Sequence, residues 1–213
     1  MSFLPDIHTL LFYSLACLIL FITPGPDMSL WLAKTLSGGR RGGTAAMLGT
    51  QVGCLCHTVF AAVGLSALLA ASATAFTALK IVGALYLAWL AIDAIRSGSA
   101  LNVKGDDRPP QSFWKTFAVG LGINLTNPKV VLFFLTFLPQ FVTASDPHAP
   151  AKLLFLGLFF IAVNLPLAFA LILGAERVIA WLKRRPRVLR GIDISFAGVF
   201  GFFAFKILTA SAR

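Results

Sequence analysis

Two short segments, Thr23-Pro24-Gly25-Pro26-Asp27 and Asn124-Leu125-Thr126-Asn127-Pro128-Lys129, interrupt long apolar stretches in the two halves of this chain. Each segment combines proline with one charged residue. Hydrocarbon offers no water to backbone groups freed by a broken helix, so such breaks persist only where they face protein or a wet cavity. A matched pair of breaks indicates a transporter's substrate site. We therefore expect helix breaks at Pro24, Pro26 and Pro128.

The composition is that of an integral membrane protein. Of the 213 residues, 58% are hydrophobic and only 12% are charged, and the mean hydropathy is +0.85. A soluble domain of this size could not bury so much apolar surface. The net charge of +10 is better explained by basic loops on one side of a membrane than by binding to nucleic acid. We expect no nucleic-acid partner, and lipid as the surroundings.

The cysteines do not predict a disulfide framework or a metal site. Cys17, Cys54 and Cys56 all lie in apolar stretches, where cysteine packs as a small apolar residue. We expect no metal and no cofactor. The first apolar run lacks a preceding Lys or Arg and a clear cleavage site, so we predict a retained first span and not a signal peptide.

Six transmembrane spans fit the hydropathy pattern. Each exceeds the roughly 17–20 residues needed to cross the hydrocarbon core. The spans run over 8–33, 44–69, 73–96, 113–142, 150–177 and 191–210. The chain then forms a single transmembrane domain over 1–213. A first repeat (1–96) and a second repeat (113–213) are joined by a polar cytoplasmic connector (97–112).

Cation placement predicts the orientation. The loop after span one holds Lys34, Arg40 and Arg41, and two further basic clusters follow spans three and five. In a six-span protein all three clusters fall on one side. The positive-inside rule then places these loops in the cytoplasm and both termini outside. Three spans per half is an odd number, so the second half would insert upside down, which predicts an inverted 3+3 repeat.

Each break is predicted to restart a helix inside the membrane. Thr23 and Asn127 are good N-cap residues, and each precedes a proline, which is favoured at the first helical position. The free N–H groups and positive dipole end of such a helix attract anions. Gly25 allows close backbone approach to a small ligand. The candidate substrate-binding residues are Gly25, Asp27, Asn124, Thr126, Asn127 and Lys129.

Asp27 and Lys129 bring charges of opposite sign to these breaks. A charge at mid-membrane costs on the order of 2.5–3.5 kcal/mol, so it is rarely retained without a partner or a function. A small zwitterion could lie between them, with its ammonium toward Asp27 and its carboxylate toward Lys129. Three alternatives stay open: the two residues pair with each other, Asp27 caps its own helix while Lys129 snorkels, or the prolines only kink the helices.

Other polar residues in the spans are weaker candidates. His57 could relay protons or bridge helices, and Gln51 lies two turns earlier. Asn164 could line the same cavity, although we favour slightly a bond to the carbonyl freed by Pro166. For proton coupling, Asp27 is the first candidate and His57 the second.

Charged residues near the span ends have simpler explanations. Lys80 and Lys206 are expected to snorkel. Asp93 and Asp193 are expected to form ion pairs beside the basic loops. We find no second intramembrane acid, which argues mildly against a basic amino acid as cargo.

Several ordered motifs resemble the LysE/RhtB family of bacterial amino-acid exporters. They are 23–27 (TPGPD), 37–42 (SGGRRG), Gly49-x3-Gly53-x3-His57, 80–87 (KIVGALYL), Gly120-x3-Asn124 continuing to Lys129, and 137–141 (FLPQF). The resemblance implies an inner-membrane exporter of small amino acids or close derivatives such as homoserine, threonine or leucine, driven by the proton gradient. The family motifs fall here on Asp27, His57, Asn127 and Lys129.

Other functional classes fit less well. An ion or small-solute channel is the main alternative, but it would favour a continuous polar stripe along several spans. An enzyme would need clustered His, Asp, Glu or Cys near one face, and a scaffold does not explain paired charged breaks. We therefore predict an alternating-access antiporter of small amino acids and protons, not an enzyme. A homo-oligomer is compatible with the sequence.

Overall fold

The computed structural model describes residues 5–97, 111–142 and 146–211, and every regular element in these ranges is a helix. The α-helices are α1 Ile7–Ile22, α2 Pro26–Phe60, α3 Ser66–Ala71, α4 Ala73–Ser97, α5 Phe113–Thr126, α6 Pro128–Leu132, α7 Ala149–Leu173, α8 Ala175–Lys183 and α9 Pro186–Ser211. A π-helical turn (Ala61–Leu65) joins α2 to α3. A second π-helical turn (Phe133–Phe137) and a 3-10 turn (Leu138–Phe141) continue α6. The predicted all-helical class is confirmed, while most of the predicted connector lies outside the described residues.

Helix α2 reverses direction at Gly39. The indole Nε1 of Trp31 donates to Thr50 Oγ1 at 3.0 Å, although these residues are 19 apart in sequence. A straight helix would hold them about 28 Å apart at a rise of 1.5 Å per residue. Gly39 has φ 63°, a conformation that favours glycine because it has no Cβ. The arms 26–38 and 40–60 therefore lie side by side as a hairpin, with the reversal inside the loop predicted after span one.

Four helical stretches among the described residues are long and apolar enough to cross a membrane, where the sequence predicted six spans. They are Pro26–Leu68, Thr74–Arg96, Ala149–Leu173 and Pro186–Thr209. A fifth results if Phe113–Thr126 and Pro128–Phe141, which meet at a 52° bend, count as one. The numbers differ for two local reasons. Helix α1 has 16 residues, fewer than the roughly 20 needed, and Pro26–Leu68 contains both arms of the α2 hairpin.

The second arm of α2 packs closely against α5. A Cβ on Gly49 would overlap the backbone carbonyl of Phe117, and a Cβ on Gly120 would overlap that of Ala46. Small residues at these crossings let the two backbones approach, as is usual between membrane helices. Because α5 ends at Thr126, this packing brings the second helix break against the middle of the α2 arm.

Aromatic rings fill the core on one side of the breaks. Phe133 lies 4.9 Å from Phe160 and 5.1 Å from Phe137, measured between ring centroids. Phe137 in turn contacts Phe203 edge to face at 4.5 Å. Tyr13 packs beside them and donates its hydroxyl hydrogen to the Leu156 carbonyl at 2.9 Å. These rings join α1, α7 and α9 to the segment that follows the second break.

The segment after α7 differs from its prediction. It was expected to be a basic loop, but residues Ala175–Lys183 form α8, with Ala175, Ile179 and Leu182 buried on one face. Helix α9 then begins at Pro186, five residues before the predicted start of the last span. This earlier start places Asp193 two turns inside the helix and not at its end.

Candidate functional site

A small cavity lies where the two helix breaks meet. Its volume is about 50 Å³, enough for a few waters, each of which needs roughly 10–15 Å³. Polar side chains and aromatic rings share its wall. The wall includes Thr23, Gly25, Asp27, Trp31, Thr50, Gln51, Cys54, Asn127, Lys129, Phe160 and Asn164.

The carboxylate of Asp27 is held by two side-chain amides from the other break. Asn124 Nδ2 donates to Oδ2 at 2.6 Å, and Asn127 Nδ2 donates to Oδ1 at 2.9 Å. Asn124 is fully buried and Asn127 nearly so. Neither bond is local, so Asp27 joins the start of α2 to the second break. A carboxylate has about four acceptor positions, so it can still accept a ligand's hydrogens.

The two breaks are capped differently, and one prediction is wrong. Asn127 is the predicted N-cap: its Oδ1 accepts from the Lys129 backbone N–H at 3.1 Å. Thr23 is not the N-cap of α2. It ends α1, and its hydroxyl donates to the Ile19 carbonyl at 2.6 Å. A threonine hydroxyl at a helix end can bond back to the preceding turn, and here that bond leaves it unable to cap the next helix. Helix α2 instead begins at Pro26 with Gly25 in the N-cap position.

Lys129 reaches across to the first break. Its Nζ donates to the Thr23 carbonyl at 2.6 Å. It also lies 5.7 Å from the centroid of the Phe196 ring and interacts electrostatically with Asp27 and Asp193. An ammonium has three N–H donors, so the bond to Thr23 leaves two for a ligand or for neighbouring groups. The ammonium therefore lies inside the protein, and the snorkelling alternative does not describe it.

Asp193 is a buried acid, although it was predicted to lie near a span end beside the basic loops. Its side chain is 2% exposed and lies on the buried face of α9, one turn before Phe196. The statement that the spans hold no second acid is therefore wrong, and it no longer argues against basic cargo. The early start of α9 at Pro186, a proline followed by a helical pattern, was the signal that could have revealed it.

Gln51 lines the cavity with an unused acceptor. Its side chain is 8% exposed, and its Oε1 has no hydrogen-bond partner. A buried polar atom without a partner costs about 1–3 kcal/mol, so it is retained where something else supplies the donor. A ligand ammonium or a bound water could be that donor.

Asn164 also lines the cavity, as one alternative predicted. The slightly favoured alternative is wrong. Pro166 removes the donor to the carbonyl four residues earlier, at Ala162. Asn164 Nδ2 instead donates to the Phe160 carbonyl at 2.7 Å. Its amide therefore bonds one turn back, beside a ring that forms part of the wall.

His57 lies behind the Asp27 contacts, outside the cavity wall. Its Nε2 is 3.4 Å from the Asn124 carbonyl oxygen, and its ring stacks on Phe134 at 5.6 Å. Asn124 thus touches both candidates for proton coupling, Asp27 through its side chain and His57 through its backbone.

Two predicted residues have other surroundings. Thr126 is exposed, and its hydroxyl donates to the Gly122 carbonyl at 2.8 Å, so the structure does not bring it to the cavity. Gly25 does line the cavity, but its φ of −165° is open to any residue. A Cβ there would stand 3.7 Å from Lys129 Nζ, so the missing side chain provides space beside the ammonium.

Trp31 and Thr50 also form part of the wall, although no sequence pattern predicted them there. Their side chains are hydrogen-bonded across the α2 hairpin, and Thr50 donates on to the Met47 carbonyl at 2.8 Å. Trp31 follows Asp27 by one helical turn, and this spacing was the available signal. Cys54, treated as a packing residue, also reaches the wall and is 3.5 Å from Asn124 Nδ2.

These contacts define a class of protein: an all-helical membrane protein whose two charged helix breaks meet around a small cavity. The model of the LysE type translocator family matches residues 18–211, and the chain belongs to this family. The resemblance found in the sequence motifs is confirmed. Translocators of this family are transporters, so the protein is not an enzyme.

Similar proteins cover nearly the whole chain. The homoserine/homoserine lactone efflux protein of Salmonella typhimurium is 32% identical over 201 residues, which are 94% of this chain and 95% of the relative. An uncharacterised membrane protein of Vibrio cholerae is 31% identical over 207 residues, 97% of this chain and 100% of the relative. The membrane protein YrhP of Bacillus subtilis is 34% identical over 146 residues, which are 65% of this chain and 70% of the relative. No solved structure matches the chain.

Proposed function

We propose that this protein is a secondary active exporter of small amino acids or close derivatives, taken from the cytoplasm and driven by proton antiport. The observation that carries the proposal is the pair of opposite charges, Asp27 and Lys129, at one cavity of a LysE type translocator. The name of the Salmonella relative supports homoserine-like cargo.

The cavity offers complementary groups for a zwitterion. The cargo ammonium would donate to the Asp27 carboxylate and to Gln51 Oε1, the unused acceptor. The cargo carboxylate would accept from the remaining N–H donors of Lys129. Gly25 leaves space beside that ammonium. Thr50 and Trp31 bond each other, so they would shape the wall and leave recognition to the charged groups.

Transport by this route requires the helices to separate. The cavity volume of about 50 Å³ holds waters but is smaller than an amino acid. We propose that it widens toward the cytoplasm to admit cargo and then toward the outside to release it. Six spans in an inverted 3+3 repeat would provide the two moving halves. The antiparallel arms of α2 and the 52° bend at Asn127 are consistent with that arrangement.

Asp27 is the proposed proton-coupling group. It lies in the cargo cavity, so proton and ammonium would compete for one carboxylate, which couples their movements in opposite directions. His57 is the second choice because it touches Asn124, whose amide bonds Asp27. We place the protein in the bacterial inner membrane with the basic segments in the cytoplasm and both termini outside.

Counterflow in proteoliposomes tests this proposal. Purified protein is reconstituted, and exchange of labelled homoserine and a panel of other amino acids is followed with and without an imposed pH gradient. We expect saturable exchange of a small group of amino acids, accelerated by the gradient. Flux that does not saturate would favour the channel. No exchange across the panel by well-folded protein would overturn the amino-acid assignment.

A further inference from the structure

A second cavity opens at the end of the bundle away from the arginine-rich segments. It lies between the start of α1, the start of α4, the 3-10 turn and the end of α9, and its volume is about 600 Å³. We call it the distal vestibule and define it by His8, Lys80, Gln140, Phe141, Phe203 and Lys206. Under the proposed topology it faces the outside.

The distal vestibule is rich in hydrogen-bond donors and basic in character. Lys80 and Lys206, which were expected only to snorkel, both line it, and none of the described residues that form its wall is acidic. The nearby carboxylate of Asp6 accepts from the backbone N–H and the hydroxyl of Thr9, at the start of α1. Lys80 is half-buried, with its Nζ 5.7 Å from the centroid of the Phe76 ring. Lys206 is exposed. Two ammonium groups that line the same cavity repel each other, and an anion bound between them relieves that repulsion.

The other described lysine at this end behaves differently. Lys152 donates to the carboxylate of Asp146 at 2.5 Å, and this bond lowers the pKa of Asp146. The positive-inside rule disfavours lysines on the outer side. Lys152 has its charge balanced by protein, whereas Lys80 and Lys206 face a shared cavity.

An aromatic layer separates the distal vestibule from the substrate cavity. Phe160 lines the substrate cavity, and Phe203 lines the vestibule. Between them, Phe160, Phe133, Phe137 and Phe203 form a chain of contacts with centroid distances of 4.9, 5.1 and 4.5 Å. Cargo leaving the substrate cavity toward the outside would therefore meet the vestibule directly after these rings move apart.

We propose that the distal vestibule is an exit site for the carboxylate of the exported amino acid, with Lys80 and Lys206 as its ligands. The proposal rests on the proposed function and extends it to a second station on the outward route. Both lysines supply charge-assisted hydrogen bonds to a carboxylate. A phosphate of an anionic lipid headgroup has the same chemistry, so the experiment must separate these two sources.

The test uses the Lys80→Gln/Lys206→Gln double variant of the full chain in proteoliposomes, with external half-saturation measured for two probes. Homoserine carries a carboxylate, whereas homoserine lactone has the same ammonium but no carboxylate. Losing charge-assisted bonds should raise the external half-saturation for homoserine about tenfold. The value for the lactone and the internal value for homoserine should not change. Lys152→Gln is the matched control and should behave as the wild type.

Lipid composition separates the two anion sources. The tenfold effect should persist in vesicles of phosphatidylcholine alone. An effect that appears only when phosphatidylglycerol is added would assign the vestibule to a headgroup and overturn the exit site. The exit site would also be overturned by an unchanged half-saturation for homoserine in a double variant that elutes as a single peak and unfolds at the wild-type temperature. Failure of the wild type to exchange either probe would overturn the proposed function itself.

Discussion

The carboxylate of Asp27 accepts a hydrogen bond of 2.6 Å from the side-chain amide of Asn124, a residue 97 positions later in the chain. This bond and its partner from Asn127 fasten the first helix break to the second. The same carboxylate lines the cavity, so one group both organises the two breaks and faces the cargo.

Replacing Asp27 by Asn should abolish most transport. An amide would present N–H donors toward the donors of Asn124 and Asn127, so at least one buried bond is lost, and the negative charge for the cargo ammonium disappears. Losing one such charged bond corresponds to roughly a tenfold or greater drop in rate. The initial rate of homoserine counterflow measures it, with Asp93→Asn, an exposed acid on α4, as the control. Full activity in Asp27→Asn would limit Asp27 to a structural role.

Gln51→Leu should separate stability from binding. The Oε1 atom makes no hydrogen bond in the cargo-free protein and so does not stabilise the fold. Its removal should therefore leave the melting temperature unchanged or slightly higher. Cargo would lose an acceptor, and the half-saturation for homoserine should rise several-fold. Thermal unfolding with and without homoserine checks both effects. A variant that melts earlier but keeps its affinity would show that Gln51 supports the fold instead.

Lys129→Gln should change selectivity between two related ligands. If the ammonium of Lys129 binds the cargo carboxylate, affinity for homoserine should fall by about tenfold or more. Homoserine lactone has no carboxylate, so its affinity should fall far less. Half-saturation from the cytoplasmic side is the quantity to measure. Equal losses for both ligands would mean that Lys129 acts through the helix breaks and not on the carboxylate.

Asp193→Asn should act through Lys129. Asp193 interacts electrostatically with that ammonium from α9, so neutralising it should let Lys129 shift and raise the half-saturation for homoserine by a few-fold. In a Lys129→Gln background the same change should have little further effect. A double-mutant cycle on half-saturation measures this coupling, and additive losses would show that the two residues act separately. Asp93→Asn is again the matched control.

Gly49→Ala should destabilise the packing of α2 on α5. The new Cβ would overlap the Phe117 carbonyl, a backbone atom that cannot rotate away. Overpacking of this kind costs typically about 1–3 kcal/mol. Gly122→Ala is the control, because a Cβ there meets nothing within 4 Å. The two variants are compared by their unfolding temperatures in detergent. Similar temperatures would contradict the close approach of the helices.

Local chemistry explains which features could be predicted from the sequence. Proline and Asn127 act on their own turn, so the second break and its cap were predictable. The Thr23 hydroxyl can make either of two local bonds: it can cap the helix that follows, or it can donate to the Ile19 carbonyl. The sequence alone does not show which bond is more stable. The bonds from Asn124 and Asn127 to Asp27 join segments about one hundred residues apart, and no periodicity reports such contacts.

Burial of Asp193 was missed for a different reason. Hydropathy marks the apolar part of a helix, whereas α9 begins earlier, in the arginine-rich region at Pro186. Because the sixth span was predicted to begin at residue 191, Asp193 was expected at the hydrated cytoplasmic end of that span. The Gly39 reversal had the opposite outcome, because a loop holding Arg40 and Arg41 was predicted after span one and the chain does fold back there.

The dependence of Asp27 on Asn124 and Asn127 also has a consequence for biogenesis. Ribosomes add about 5–20 residues per second, so roughly 5–20 s pass between synthesis of Asp27 and synthesis of Asn124. During that interval the first half is in the translocon or bilayer with a carboxylate whose two amide donors do not yet exist. The nascent first half therefore has to keep this group at a hydrated surface until the second half inserts. Expressed alone, it should be degraded, and co-expression of the second half should rescue it.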